Sequence, residues 1–208
     1  MVIRRSSLLD RSVQQRDARL FWLIVEGAET EPTYFRSLEA RGLLPTHRVK
    51  LQVLSPPNNA SAPLHLEALA EDTMARVRRE PMDEVWLVFD VDLQSGSNRV
   101  RQIHEVDQFA RQKGWGIAVS NPCFEVWYLL HLTDDLSSIN HSCASVETAL
   151  RRELGSYSKR TTPARCLEQE ALTSAIARAR SLDASPRSPI PDRGSRLHLL
   201  LDRLRSYR

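Results

Sequence analysis

Three carboxylates stand where apolar runs break off. Glu26 follows Phe21–Val25 (FWLIV), and Asp90 and Asp92 follow Glu84–Phe89 (EVWLVF). Two residues apart on a chain that is still extended, Asp90 and Asp92 aim the same way. If both runs are strands of one parallel sheet, their carboxyl ends share an edge, where such sheets gather reactive groups. Carboxylates meeting there repel one another unless a positive charge lies between them. Mg²⁺ is the natural occupant, with Mn²⁺ as its substitute: both take oxygen ligands, and Mg²⁺ keeps waters and accepts phosphate oxygens. Zn²⁺ fits less well, because no His or Cys clusters near these positions. The plainer alternative is that each Asp is a turn residue or a helix cap.

Other residues extend the set. In SNPCFE (120–125), Pro122 forces Asn121 away from helical angles, so the chain turns sharply after a short apolar run. Asn121 is then placed to donate to a phosphate or orient a water, or else to cap the following helix. Glu125 either extends the acidic site or favours the positive helix N-terminus. Glu31 and Glu29 add negative charge beside Glu26. Lys159 could neutralise charge on a phosphoryl transition state, or lie idle on the surface. Arg178, Arg180, Arg196, Arg203 and Arg205 are candidates for contacts to a nucleic-acid backbone. Cys123 and Trp127 read as core, since no basic partner would activate the thiol, and His131 reads as a core histidine.

These residues need a scaffold. Runs at Phe21–Val25, Arg48–Leu54, Glu84–Phe89 and Gly116–Val119 read as strands. They alternate with helical stretches at Thr30–Leu38, Pro63–Glu80, Asn98–Lys113 and Phe124–Leu132, with Thr30 as a candidate cap. Val100, Ile103, Val106, Phe109 and Ala110 supply the apolar stripe of the third helix. This order predicts an α/β fold with a parallel sheet sandwiched by helices. Beyond Asp134 three helices are predicted, near Val146–Leu154, Ala164–Leu182 and Asp192–Ser206, with a proline-rich loop at Asp183–Pro191. The organisation expected is a basic arm over 1–20, a metal-binding core over 21–132 and a basic helical annex over 133–208.

Composition limits the function classes. With 41% hydrophobic and 26% charged residues, the 208-residue chain is an ordinary globular protein. Three scattered cysteines with no CxxC suggest neither a zinc site nor a disulfide framework. No signal-peptide run or membrane span is evident, so a soluble cytoplasmic protein is expected. Net charge is +3, distributed unevenly: +3 over residues 1–20, −7 over 21–150 and +7 over 151–208. An acidic centre with basic flanks suits a metal core among phosphate-gripping surroundings. No GxxxxGK[ST] is present, so any nucleotide hydrolysis must come from a partner. A haloacid-dehalogenase phosphatase would need a threonine where Gln94 stands.

VEGAETEPTYF (25–35), VWLVFDVD (85–92) and AVSNPCFEVWYLLHL (118–132), in this order, resemble the RloB family. VEG with FDVD is also the arrangement of the Toprim fold of topoisomerases, primases and several nucleases. The resemblance implies a Toprim-like core with Glu26, Asp90 and Asp92 on metal, association with bacterial phage defence, and an AAA/ABC-like ATPase as partner. A weaker match at Tyr157-Ser158-Lys159 and a possible role for His198 extend it. The family's EGxxTEP usually has a basic or polar residue where Glu29 stands. The expected function is a Mg²⁺-dependent nuclease acting on DNA or RNA, with a homo-oligomer compatible. The alternative is a non-catalytic nucleic-acid-binding or regulatory subunit of a defence ATPase complex.

Overall fold

The computed structural model describes residues 18–56, 63–92, 98–183, 188–191 and 193–207. The basic arm up to residue 17, Asn58, Asn59, Gln94, Asp192 and part of the proline-rich loop lie outside the described residues. The first half of the chain alternates as expected: β1 (Arg19–Val25), α1 (Thr30–Ala40), β2 (Val49–Leu54), α2 (Pro63–Arg76), β3 (Glu84–Asp90), α3 (Arg99–Lys113) and β4 (Gly116–Asn121). The second half holds α4 (Glu125–Leu132), α5 (Cys143–Leu154), a 3₁₀ turn (Ala164–Leu167), α6 (Gln169–Leu182), β5 (Gly194–Ser195) and α7 (Leu197–Arg205).

The strands form one sheet in the order β2-β1-β3-β4-β5. β1 to β4 are parallel, and β5 is antiparallel to β4, pairing Ser120 with Ser195 and Asn121 with Gly194. The fold is therefore α/β with a mostly parallel sheet. The chain leaves β1 toward β2 on one side and reaches β3 on the other. The strand order thus reverses between β1 and β3, where ligand crevices form at the carboxyl edge.

Alternation along β1 divides the core. Phe21, Leu23 and Val25 enter a cluster with α1, α4, α5, α6 and α7; Ile24 enters a second with α2 and α3 on the opposite face. α4 is buried nearly all round and packs against α5 and α6 as well as the sheet side. The helices beyond residue 133 thus belong to the same hydrophobic cluster as one face of the sheet.

Several local expectations change. Thr30 is the first helical residue rather than the cap, which is Glu29 without a side-chain cap bond. Val100 is 40% exposed and does not join the stripe of α3. The single helix expected over Ala164–Leu182 breaks at Glu168, whose extended backbone separates the 3₁₀ turn from α6. β5 carries only two residues, too few for any periodic signal.

Candidate active site

The ends of β1, β3 and β4 are locked side by side. The Glu26 amide donates to the Val88 carbonyl at 2.9 Å, Val91 to Ser120 at 2.8 Å and Asp92 to Pro122 at 3.0 Å. The last bond accompanies a change of direction: Asp92 has φ 31°, in the left-handed region that Asp tolerates better than most residues. Val91 is buried in the second core cluster. β3 ends at Asp90, so the extended chain expected to aim both carboxylates the same way does not reach Asp92, which this turn places instead.

A cavity of about 830 Å³ opens at this edge. Glu26, Glu29, Glu31, Asp90, Asp92 and Glu125 all line it, together with Lys159, Cys123 and Cys143. Among the described residues, six carboxylates face one lining cation, Lys159. The Asp90 carboxyl is held well above its ordinary value, first by burial and then by Glu31, Glu26 and Glu125. Glu31 is pushed up to about 7 by burial, against the stabilising Gly27 amide.

Glu31 and Glu29 have separate parts. Glu31 is buried and reaches back one turn to accept the Gly27 N–H at 2.9 Å. A Cβ on Gly27 would collide with that carboxylate, which gives the Glu26-Gly27 pair its physical reason. Glu29 is half-exposed on the cavity wall, paired with the largely exposed Arg160 at 3.2 Å.

Glu26 is held from inside the protein. The Asp90 N–H donates to its Oε2 at 3.0 Å, and Arg99 Nη2 reaches Oε1 at 2.8 Å and Oε2 at 2.6 Å. Arg99, only 5% exposed at the start of α3, also donates to the carbonyls of Asp90 and Val91. Burial still raises the Glu26 carboxyl, against the opposing effects of Arg99 and the Asp90 amide. Nothing in the sequence marked Arg99, whose partner lies 73 positions away.

From the opposite side, the segment after α5 closes on the cavity. Tyr157 Oη donates to Glu125 Oε1 at 3.1 Å, and Lys159 Nζ lies 3.5 Å from Glu125 and 3.2 Å from Glu147. Burial opposes the charge on Lys159, but Glu125 and Glu147 outweigh it and raise its affinity for the proton. Glu147 and Arg160 escaped the sequence reading, and Tyr157 entered it only through the resemblance at Tyr157-Ser158-Lys159, since only the folded chain brings them to the carboxylates.

Other expected residues lie elsewhere. Asn121 does not line the cavity and does not cap α4; it is buried, and its Nδ2 donates to the Pro191 carbonyl at 2.9 Å. His198 is buried beside Asp183 and Ser195, with its proton affinity lowered by burial. His131 is a core residue between Tyr34 and Trp127, held neutral at about 4 by burial. The annex arginines brace the fold: Arg178 caps the Leu130 carbonyl, Arg180 pairs with Asp202, Arg196 with Asp183, and Arg203 with Glu84. Arg205 donates to Thr173.

The donor set suits a hard divalent cation: all its charged oxygens are carboxylates, and burial together with their crowding raises Asp90 and Glu31, a strain that a dication would relieve. Among the described residues, no three Asp, Glu, His or Cys side chains are grouped closely enough to hold an ion as they stand, and Arg99 already faces Glu26. Rotation of the carboxylates would be required on binding.

A protein-family model described as RloB-like protein matches residues 21–204. No curated protein and no solved structure matches the chain. Among the described residues no helix is long and apolar enough to cross a membrane.

Proposed function

Because this chain belongs to the RloB-like protein family, we propose that it is a divalent-metal-dependent nuclease of phage defence, with a Toprim-like core acting on phosphodiester bonds of DNA or RNA. The observation that carries this reading is the single cavity lined by six carboxylates at the switch point of the sheet. Asp90 and Asp92 would hold Mg²⁺ or Mn²⁺, with Glu26 beside them. Glu26 has three of its roughly four acceptor positions engaged by Arg99 and the Asp90 amide. When bound, the ion supplies Lewis acidity toward a phosphate oxygen.

The chain's own residues do the rest. Arg99 and the Asp90 amide fix the orientation of Glu26. Glu31, with its high proton affinity, is the group suited to take a proton from an attacking water near neutral pH. Lys159, charged and half-exposed at the cavity wall, offers its ammonium to developing phosphate charge. Arg160 stands next to it at the mouth.

The alternative, a non-catalytic nucleic-acid-binding or regulatory subunit of a defence ATPase complex, draws support from Arg99, which compensates Glu26 without any metal. One experiment separates the two. Purified protein is incubated with DNA and RNA panels, with Mg²⁺, Mn²⁺ or EDTA, and with the neighbouring ATPase and ATP. Metal-dependent cleavage abolished by Asp90→Asn supports the nuclease; binding without cleavage under every condition supports the alternative.

A further inference from the structure

Arg99 Nη2 sits among three oxygens: Glu26 Oε2 at 2.6 Å, the Asp90 carbonyl at 2.7 Å and Glu26 Oε1 at 2.8 Å. Asp90 is the last residue of β3, Glu26 follows the neighbouring β1, and the guanidinium reaches both from the first residue of α3. Its Nε donates to the Val91 carbonyl at 3.1 Å, which fixes the group from a second side. The Arg99 side chain is 5% exposed and that of Glu26 12%. A guanidinium keeps its proton at any pH a folded protein meets, so this buried charge is permanent. Withdrawing it would leave the Glu26 carboxylate buried without compensation, which holds the arginine in place.

We propose that Arg99 is the fixed cation of Glu26, standing where a second divalent ion would stand, so that the cavity takes one Mg²⁺ or Mn²⁺ and not two. The inference rests on the metal-dependent reading above and leaves the ion to Asp90 and Asp92. Glu26 then acts as a positioning residue that ties the end of β3 to α3, and not as a ligand.

The geometry around one nitrogen supports this. Both oxygens of Glu26 accept a charged N–H, and Oε2 accepts the Asp90 amide as well. A carboxylate so engaged has little left to offer an ion. Mg²⁺ in this place would need the same oxygens at about 2.0–2.1 Å, so Nη2 excludes it. The Glu26–Arg99 pair is also neutral as a unit, which leaves the uncompensated charge of the cavity on the other carboxylates.

The test counts Mn²⁺ bound to the full-length chain by electron paramagnetic resonance of the free ion. One ion per chain is expected. The double variant Glu26→Gln with Arg99→Met removes the pair without changing net charge. It should still bind one ion, at an affinity within about tenfold of the parent chain. Arg99→Met alone frees Glu26 and should bind a second ion; if that variant does not fold, the double variant decides. Two ions on the parent chain overturn the proposal. So does a loss beyond about tenfold in a folded double variant, which makes Glu26 a ligand, or a folded Arg99→Met that still takes one ion. These outcomes leave the metal-dependent reading standing, whereas a parent chain that binds no Mn²⁺ overturns both.

Discussion

At the scale of single residues, Asp92 combines a left-handed backbone with a charge in a crowded acidic cavity. Asparagine accepts the same backbone and keeps the N–H bond to Pro122, so Asp92→Asn changes charge alone. We expect at least a tenfold loss of Mg²⁺ affinity by calorimetry and a metal-free melting temperature higher by roughly 1–3 °C. Unchanged affinity with a lower melting temperature would remove Asp92 from the ion site. Arg99 makes the opposite case. Arg99→Met strands Glu26 as a buried, uncompensated charge, which costs about 3–5 kcal/mol. Adding Glu26→Gln should recover more than half of that in urea unfolding; additive losses would deny the coupling. The carboxylates were legible because each follows an apolar run that could only be a buried strand. Arg99 was not, since an arginine at a helix start carries no mark of a partner on another strand.

Among the elements, the segment after α5 matters most for binding. It brings Lys159 and Arg160 to the cavity, whereas Arg180 and Arg203 on α6 and α7 are spent on Asp202 and Glu84. We expect Lys159→Gln and Arg160→Gln each to reduce the salt slope of nucleic-acid binding by about 1 when measured in EDTA. Arg180→Gln and Arg203→Gln should leave that slope alone and lower the melting temperature instead. A slope that responds to Arg203 but not to Lys159 would place the phosphate path elsewhere. The sheet and its helices were readable from periodicity of two kinds. The break at Glu168 and the two-residue β5 were not, because tertiary pairing rather than local pattern makes them.

For the whole molecule, the crowded carboxylates set a pH dependence. Glu31 binds its proton more tightly folded, at about 7, than at its ordinary 4.5. Below 4.5 it is neutral in both states and carries no penalty. Between 4.5 and 7 the unfolded chain ionises first, so stability falls by roughly 3 kcal/mol and then levels off. Asp90 and Glu26 are raised too and act in the same direction. Urea midpoints in EDTA should therefore drop across this range, and saturating Mg²⁺ should restore them near pH 7.5. A flat profile in EDTA would mean the carboxylates are compensated without metal. The same negative field should repel a polyanion, so cleavage by the dilute chain alone is expected to be weak and to rise with the neighbouring ATPase and ATP. Full activity from the chain alone would rule out that form of control. The +7 surplus beyond residue 150 marked a basic annex. Its helices also complete the core over one sheet face, which charge counting could not reveal.

That burial of α4 has a kinetic meaning. Val126–Leu130 lie between the sheet side and the later helices, so none of these residues meets water unless both layers part. Their amides should exchange with deuterium as slowly as those of β1 and β3, through global unfolding only. The later helices then have no hinge on which to swing as a unit. Any opening or closing of the cavity has to travel through its short rim segments, on a timescale far faster than the exchange of α4.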